Sequence, residues 1–182
     1  MNGPWHAGRA FAEAHGFSVF VHDLFLARQA TAFEAPIPGG VTVRVRAGES
    51  DDLIWASLAN ATLSRDAGFV DETAQSIAGY TRLPGFALWL AERDGVPVGF
   101  CHVERRARVG YVQGLGVLGQ HESRGIGAAL LSLGIDTLRA TGVERIELCT
   151  ENDNVRAQRL YARAGFVLDR EAFTYRKKIS GV

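Results

Sequence analysis

Between Leu115 and Ala129 a strand-like run ends in a polar loop, and the loop gives way to a helix that opens on glycines. The residues are Leu115-Gly116-Val117-Leu118, then Ser123-Arg124-Gly125-Ile126-Gly127-Ala128-Ala129. This junction restricts the chain to folds in which a strand feeds a helix whose first turn is open. A helix start leaves its first N–H groups unpaired and carries the positive end of the dipole. Glycines there let a pyrophosphate come close to the backbone, and Arg124 sets a fixed charge beside the turn. No Gly-Lys-Ser/Thr follows, so the turn is not a P-loop. It is not a dinucleotide fingerprint either. Leu130 stands where the third small residue belongs, and the loop before the helix is too long.

Hydrophobic periodicity extends the junction into an ordered set of elements. Val41, Val43 and Val45 alternate with polar residues as a strand. Ser50 is placed to cap a helix beginning at Asp51-Asp52, and a second short helix covers 72–79. Strands follow at 86–92, 98–103 and 109–118, the first two joined by the hairpin dipeptide Asp94-Gly95. A helix over 124–140 keeps Ile126, Leu130, Leu133 and Leu138 at helical spacing, and Gly142 can end it. A strand at 144–150 alternates Ile146 and Leu148 with charged residues. A short helix starts at Asn154 and stops at Gly165, and two closing strands are expected at 166–172 and 173–178. The predicted order is βααβββαβαββ, an α/β (α+β) fold with a mixed sheet.

Charge narrows the partners. Twenty Lys and Arg balance 20 Asp and Glu, so no global field draws the chain to nucleic acid or to an anionic membrane. No apolar run reaches the length of a membrane span. A signal peptide fits poorly, because His22 and Asp23 interrupt the apolar stretch 17–27 and no basic segment precedes it. Cys101 and Cys149 lack metal-ligand spacing and sit in apolar stretches. A reducing cytoplasm is therefore expected, with no metal site and no disulfide scaffold.

Past the next strand lies Asn154-x-x-Ala157-x-x-Leu160-Tyr161-x-x-x-Gly165-Phe166. Joined to the glycine turn by a strand, it resembles the GNAT acyltransferase superfamily over residues 41–178. The resemblance implies a mostly antiparallel, twisted sheet flanked by helices. It implies acetyl-CoA bound at a splayed strand pair, and an acetyl group passing to a primary amine of a small-molecule or peptide acceptor by direct attack. In that picture Leu115, Gly116 and Val117 pair with the pantetheine arm. Arg124, Gly125, Ile126, Gly127, Ala128 and Ala129 form the pyrophosphate turn, and Asn154 both caps its helix and bonds the arm. A backbone N–H near Val117 or Leu118 faces the oxyanion, and Tyr161 protonates the leaving thiolate.

Two positions depart from the family pattern. Glu122 stands where Gln or Arg is usual, and its charge opposes a pyrophosphate unless a cation compensates. Gln113 stands where related enzymes often carry a glutamate base, which leaves Glu151, with His102 and Glu104 as alternatives. The loop 63–69 and the residues near Phe173 are expected to line the acceptor path, where Asp66, Asp71 and Glu72 would attract an ammonium. The alternative function is an acyl-CoA-binding module without turnover, toward which Gln113 and Glu122 lean.

Residues 1–38 precede the GNAT-like domain at 39–182, and the linker Ala35-Pro36-Ile37-Pro38-Gly39-Gly40 runs across the boundary. Phe11-Ala12-Glu13-Ala14-His15-Gly16-Phe17 repeats the spacing of Leu160-Tyr161-Ala162-Arg163-Ala164-Gly165-Phe166, and an apolar stretch follows each. The arm thus resembles the tail of a degenerate second GNAT unit, as at the junction in tandem GNAT proteins such as mycothiol synthase. Its apolar residues must pack on the main domain or on a partner, with an exposed strand edge as the expected docking place. Exchange between protomers there would make a homodimer.

Overall fold

The structure is a computed structural model and describes residues 5–67 and 69–178. Gly68, in the predicted acceptor loop, lies outside the described residues, as do 1–4 and 179–182. The elements are α1 (Trp5–Ala14), β1 (Ser18–Gln29), β2 (Val41–Val45), α2 (Glu49–Leu63), α3 (Ala74–Tyr80), β3 (Ala87–Arg93), β4 (Val96–Arg106), β5 (Val109–Val117), α4 (Ile126–Ala140), β6 (Arg145–Glu151), α5 (Val155–Arg163) and β7 (Val167–Arg176). One seven-stranded sheet runs β2-β3-β4-β5-β6-β1-β7. Every pairing is antiparallel except β5 with β6. The mixed, mostly antiparallel α+β architecture expected from the sequence is therefore present.

The core lies on both faces of β3 and β4. On one face α4 contributes Leu130, Leu131, Ile135 and Leu138, all fully buried. On the other, Trp55 and Leu58 of α2 and Ile77 of α3 cover Leu88, Leu90 and Phe100. Burying each such Leu or Ile contributes roughly 2 kcal/mol. The β3–β4 turn follows its dipeptide: Asp94 and Gly95 have φ of 53° and 75°, both left-handed, as a type I′ hairpin requires.

Three expectations change. Ser50 does not cap α2; the helix begins two residues earlier, with Gly48 at its cap position and no side-chain bond there. Asp51 serves the helix start instead, accepting the Ala47 N–H at 2.6 Å and a two-pronged bond from Arg44 at 2.8 Å. The two closing strands are one continuous strand, β7, because no turn residue interrupts the segment and it pairs with β1 along its length. The N-terminal strand does not sit on a sheet edge. β1 lies inside the sheet, with seven residue pairs to β6 and nine to β7.

Asp51 carries a pH prediction. The Arg44 bond holds its carboxyl down to about 2, against 3.8 for the free group. A depressed pKa stabilises the fold above the unfolded-state value, and that contribution is lost as pH falls toward the folded-state value. The shift is worth roughly 2 kcal/mol, fully present above about pH 4 and lost toward pH 2. Urea midpoints measured across that window should fall more steeply in the wild type than in Asp51→Asn. Parallel slopes would remove this linkage.

Candidate functional site

β5 and β6 begin side by side and then part. Their parallel register covers Val109–Val112 against Arg145–Leu148 and stops there. Beyond it β5 stays with β4 as far as Gly99 opposite Val117, while β6 stays with β1 as far as Asp23 opposite Glu151. The parting starts at a bulge: His102 faces Gly114 and Val103 faces Val112, which leaves Gln113 as the extra residue. Leu118 N–H is bonded to Val98 O at 2.9 Å. Alternation along an antiparallel pair then turns the backbone polar groups of Leu115 and Val117 toward the gap. The same bond removes Leu118 as an oxyanion donor and leaves Val117.

A cleft of about 830 Å³ fills the gap. It is lined by Leu115, Gly116 and Val117 of β5 and by Gly125, Gly127 and Ala128 at the start of α4. Ala129 N–H closes the first helical bond, to Gly125 O at 3.0 Å. The N–H groups of Ile126, Gly127 and Ala128 precede that bond and stand at the open start of the helix. Gly125 has φ of 86°, a conformation glycine adopts without strain. Ile126 and Ala129 bury their side chains in the core, so Ile126 offers only its backbone to the cleft and Ala129 neither group. Arg124 is exposed and does not line the cleft. Gly116 answers to packing: a Cβ there would run into Thr62 Oγ1 and come within 2.6 Å of Phe100 Cε1.

The positive charge comes from elsewhere. Arg156, Arg159 and Arg163 of α5 line the cleft, and Arg156 is ion-paired with Glu122. That pair neutralises the carboxylate that departs from the family pattern. Spacings of three and four residues put these arginines on one helix face, a signal readable in the sequence. His121 also lines the cleft, and its Nδ1 is buried without a hydrogen-bond partner among the described residues. Open N–H groups, an arginine face and an unsatisfied imidazole nitrogen fit the diphosphate of a coenzyme A molecule.

Asn154 caps α5 as expected, its Oδ1 accepting from Ala157 N–H at 3.1 Å, and it borders the cleft. Tyr161 lines the cleft while packing edge-on against Phe166. Burial raises its phenol well above the usual value and keeps it protonated. Cys149 lines the cleft too, but burial first, then Asp23, pushes its thiol up to about 11, so it holds its proton. Glu151 is absent from the cleft lining; its carboxylate accepts the Ala67 N–H at 2.5 Å. Desolvation first, then Asp66, Asp153 and Asp23, raise it. Its place is to tie down the loop after α2. No group of three or more His, Cys, Asp or Glu is arranged for a metal among the described residues. No described helix is long and apolar enough to cross a membrane.

Comparison with known proteins agrees with this geometry. The family model described as Acetyltransferase (GNAT) family matches residues 54–166. A mycothiol acetyltransferase of Sanguibacter keddieii is 38% identical over 144 residues, covering 72% of this chain and 45% of that protein. The mycothiol acetyltransferase of Streptomyces coelicolor is 30% identical over 183 residues, covering 96% and 59%. The chain thus spans about half the length of these curated relatives. In fold it is similar to a GCN5-related N-acetyltransferase from Sphaerobacter thermophilus, with TM-score 0.80 and 23% identity over 94% of this chain and 56% of that one. The splayed strands, the glycine-opened helix beside them and a family match over more than half of the chain have one reading: the chain belongs to the GNAT acetyltransferase family.

Proposed function

We propose that this chain is an acetyl-CoA-dependent N-acetyltransferase that passes the acetyl group directly to a primary amine. The observation that carries the reading is the parting of β5 and β6 beside the open first turn of α4. Family membership supports acetyl-CoA as donor, since GNAT acetyltransferases use it. Bound there, it supplies an activated thioester carbonyl. The chain's own groups do the rest. Leu115 and Val117 offer backbone bonds to the pantetheine arm as an added strand would find them. The N–H groups of Ile126, Gly127 and Ala128 and the α5 arginines hold the diphosphate. Val117 N–H faces the carbonyl oxygen as charge builds on it. Tyr161, neutral and at the cleft wall, donates its proton to the departing sulfur. The shared names of the relatives favour an acceptor of the mycothiol kind.

Thiol release from acetyl-CoA against a panel of amines, the acceptor of the mycothiol acetyltransferases among them, tests the reading. Turnover with any amine supports it. Tight acetyl-CoA binding without turnover across the panel would favour a binding module. Tyr161→Phe should lower kcat about 10–100-fold with acetyl-CoA affinity nearly unchanged, the range of a modest general-acid contribution. Wild-type kcat in that variant would leave Tyr161 as a packing residue only.

A further inference from the structure

A second, smaller cavity of about 80 Å³ lies against the cleft, on the sheet face covered by α2 and α3. Leu63, Gln113 and Gly114 border both spaces. The volume has room for several water molecules, or for the amino end of a larger molecule. Trp55, Tyr80, Phe100 and His102 wall it, with Glu72 at one side. His102 is only 4% exposed, yet its Nε2 has no hydrogen-bond partner among the described residues. Aromatic rings surround the imidazole, with centroids at 4.8 Å for Trp55, 5.1 Å for Phe86 and 5.5 Å for Tyr80. A buried polar atom left unpaired is costly to the fold, and such an atom calls for a partner that completes it.

The neighbouring carboxylate is already engaged. Glu104, fully buried, accepts from Arg106 Nε at 2.6 Å and from Gln113 Nε2 at 2.9 Å. Gln113 therefore gives one of its two amide N–H groups to Glu104. Its position at the bulge puts it at the junction of the two spaces. Of the titratable groups around His102, Glu72 and Tyr80 lie on the α3 side and Glu104 on its own strand, while the cavity-lining residues of α2 and β5 carry no charge. Burial keeps the imidazole neutral and able to accept.

We propose that this cavity is the acceptor subsite and that His102 Nε2 takes the proton of the attacking amine. The proposal rests on the transferase reading and adds the proton acceptor that Gln113 cannot be. As the amine nitrogen bonds to the thioester carbonyl carbon, its proton passes to His102. The C–S bond breaks with its electron pair on sulfur, and the sulfur takes the Tyr161 proton. The imidazolium proton returns through solvent to the tyrosinate, so one proton moves from nitrogen to sulfur and nothing else is consumed.

The test uses the full chain with acetyl-CoA and the amine panel. His102→Gln, which cannot take a proton, should lose about 30-fold or more in kcat with acetyl-CoA affinity within about twofold of wild type. His102→Ala leaves a space the size of the lost ring, and added imidazole should restore turnover several-fold, a response that a packing role does not produce. Wild-type kcat in His102→Gln overturns the assignment, as does a folded His102→Ala that imidazole does not rescue. If the wild type turns over no amine, the transferase reading fails first. Calorimetric titration of amines into the CoA-loaded protein then reads the subsite alone. His102→Ala should bind about tenfold more weakly, with imidazole restoring affinity, and equal binding overturns the proposal.

Discussion

Deleting residues 1–38 is expected to abolish the folded domain. β1 joins β6 to β7 from inside the sheet, so its loss opens β6 and leaves β7 with no strand to pair with. Leu24, Leu26 and Ala27 leave the core with it. The two leucines alone contribute roughly 4 kcal/mol, against a total stability of about 5–15 for a domain. Buried Arg28 goes too. Its guanidinium bonds Ala164 O at the end of α5 and holds Thr31 Oγ1 at 2.8 Å and Thr31 O at 3.0 Å. Phe33 O, the acceptor for Ser132 Oγ of α4 at 2.6 Å, is also removed. By contrast, residues 8–14 of α1 are largely exposed. Deleting residues 1–15 should therefore leave a cooperative melt within a few degrees of wild type, whereas deleting 1–38 should leave none. Circular dichroism and light scattering read both. A cooperative melt in the longer deletion at the wild-type temperature would show that the sheet closes without β1.

What the sequence missed lies at this same place: the position of β1 inside the sheet. The spacing of Phe11, Gly16 and Phe17 announced a helix end and an apolar strand, and both are present. Periodicity reports which residues of a strand are buried, not which neighbours it pairs with. An inserted strand and one docked at an edge read alike in sequence. The same limit split β7 in two: its burial is low along nearly its whole length, so no alternation marked it as one unit. Where turn chemistry is local, the sequence was sufficient. Asp94-Gly95, the capping Asn154 and the glycines opening α4 each act through their own backbone angles or nearest N–H groups.

The site divides along the same line. Gly125, Gly127 and Ala128 were legible because a helix start is a local feature. Adjacency in the chain says nothing of direction: Arg124 is exposed and does not line the cleft, while Arg156 arrives from another element. Gly116 is glycine for Thr62 and Phe100, which lie far away in sequence. Glu151 stood at the right strand end, but only the fold reveals that Ala67 N–H claims its carboxylate.

Gly127→Val should destroy acetyl-CoA binding while the domain stays folded. Gly127 lines the cleft in the first turn of α4, two residues after the left-handed Gly125. A Cβ placed there meets only Leu160 Cδ2 at 3.6 Å and Val117 Cγ2 at 3.7 Å, both ordinary contacts. The backbone therefore tolerates a side chain, and Gly127→Ala should melt at or slightly above the wild-type temperature, since alanine favours a helix by up to about 1 kcal/mol over glycine. Valine adds two methyl groups beyond that Cβ. The stiff χ1 of a β-branched residue in a helix leaves them few ways to turn aside. They stand where a diphosphate must approach to meet the N–H groups of Ile126, Gly127 and Ala128. Losing those charge-assisted bonds should weaken the affinity at least about 100-fold, close to 3 kcal/mol. Alanine, with no methyl beyond Cβ, should cost far less. Calorimetry with acetyl-CoA on wild type and both variants, alongside their dichroism spectra, gives the comparison. A folded Gly127→Val that binds acetyl-CoA as wild type does would move the diphosphate away from α4, and with it the assignment of the whole cleft.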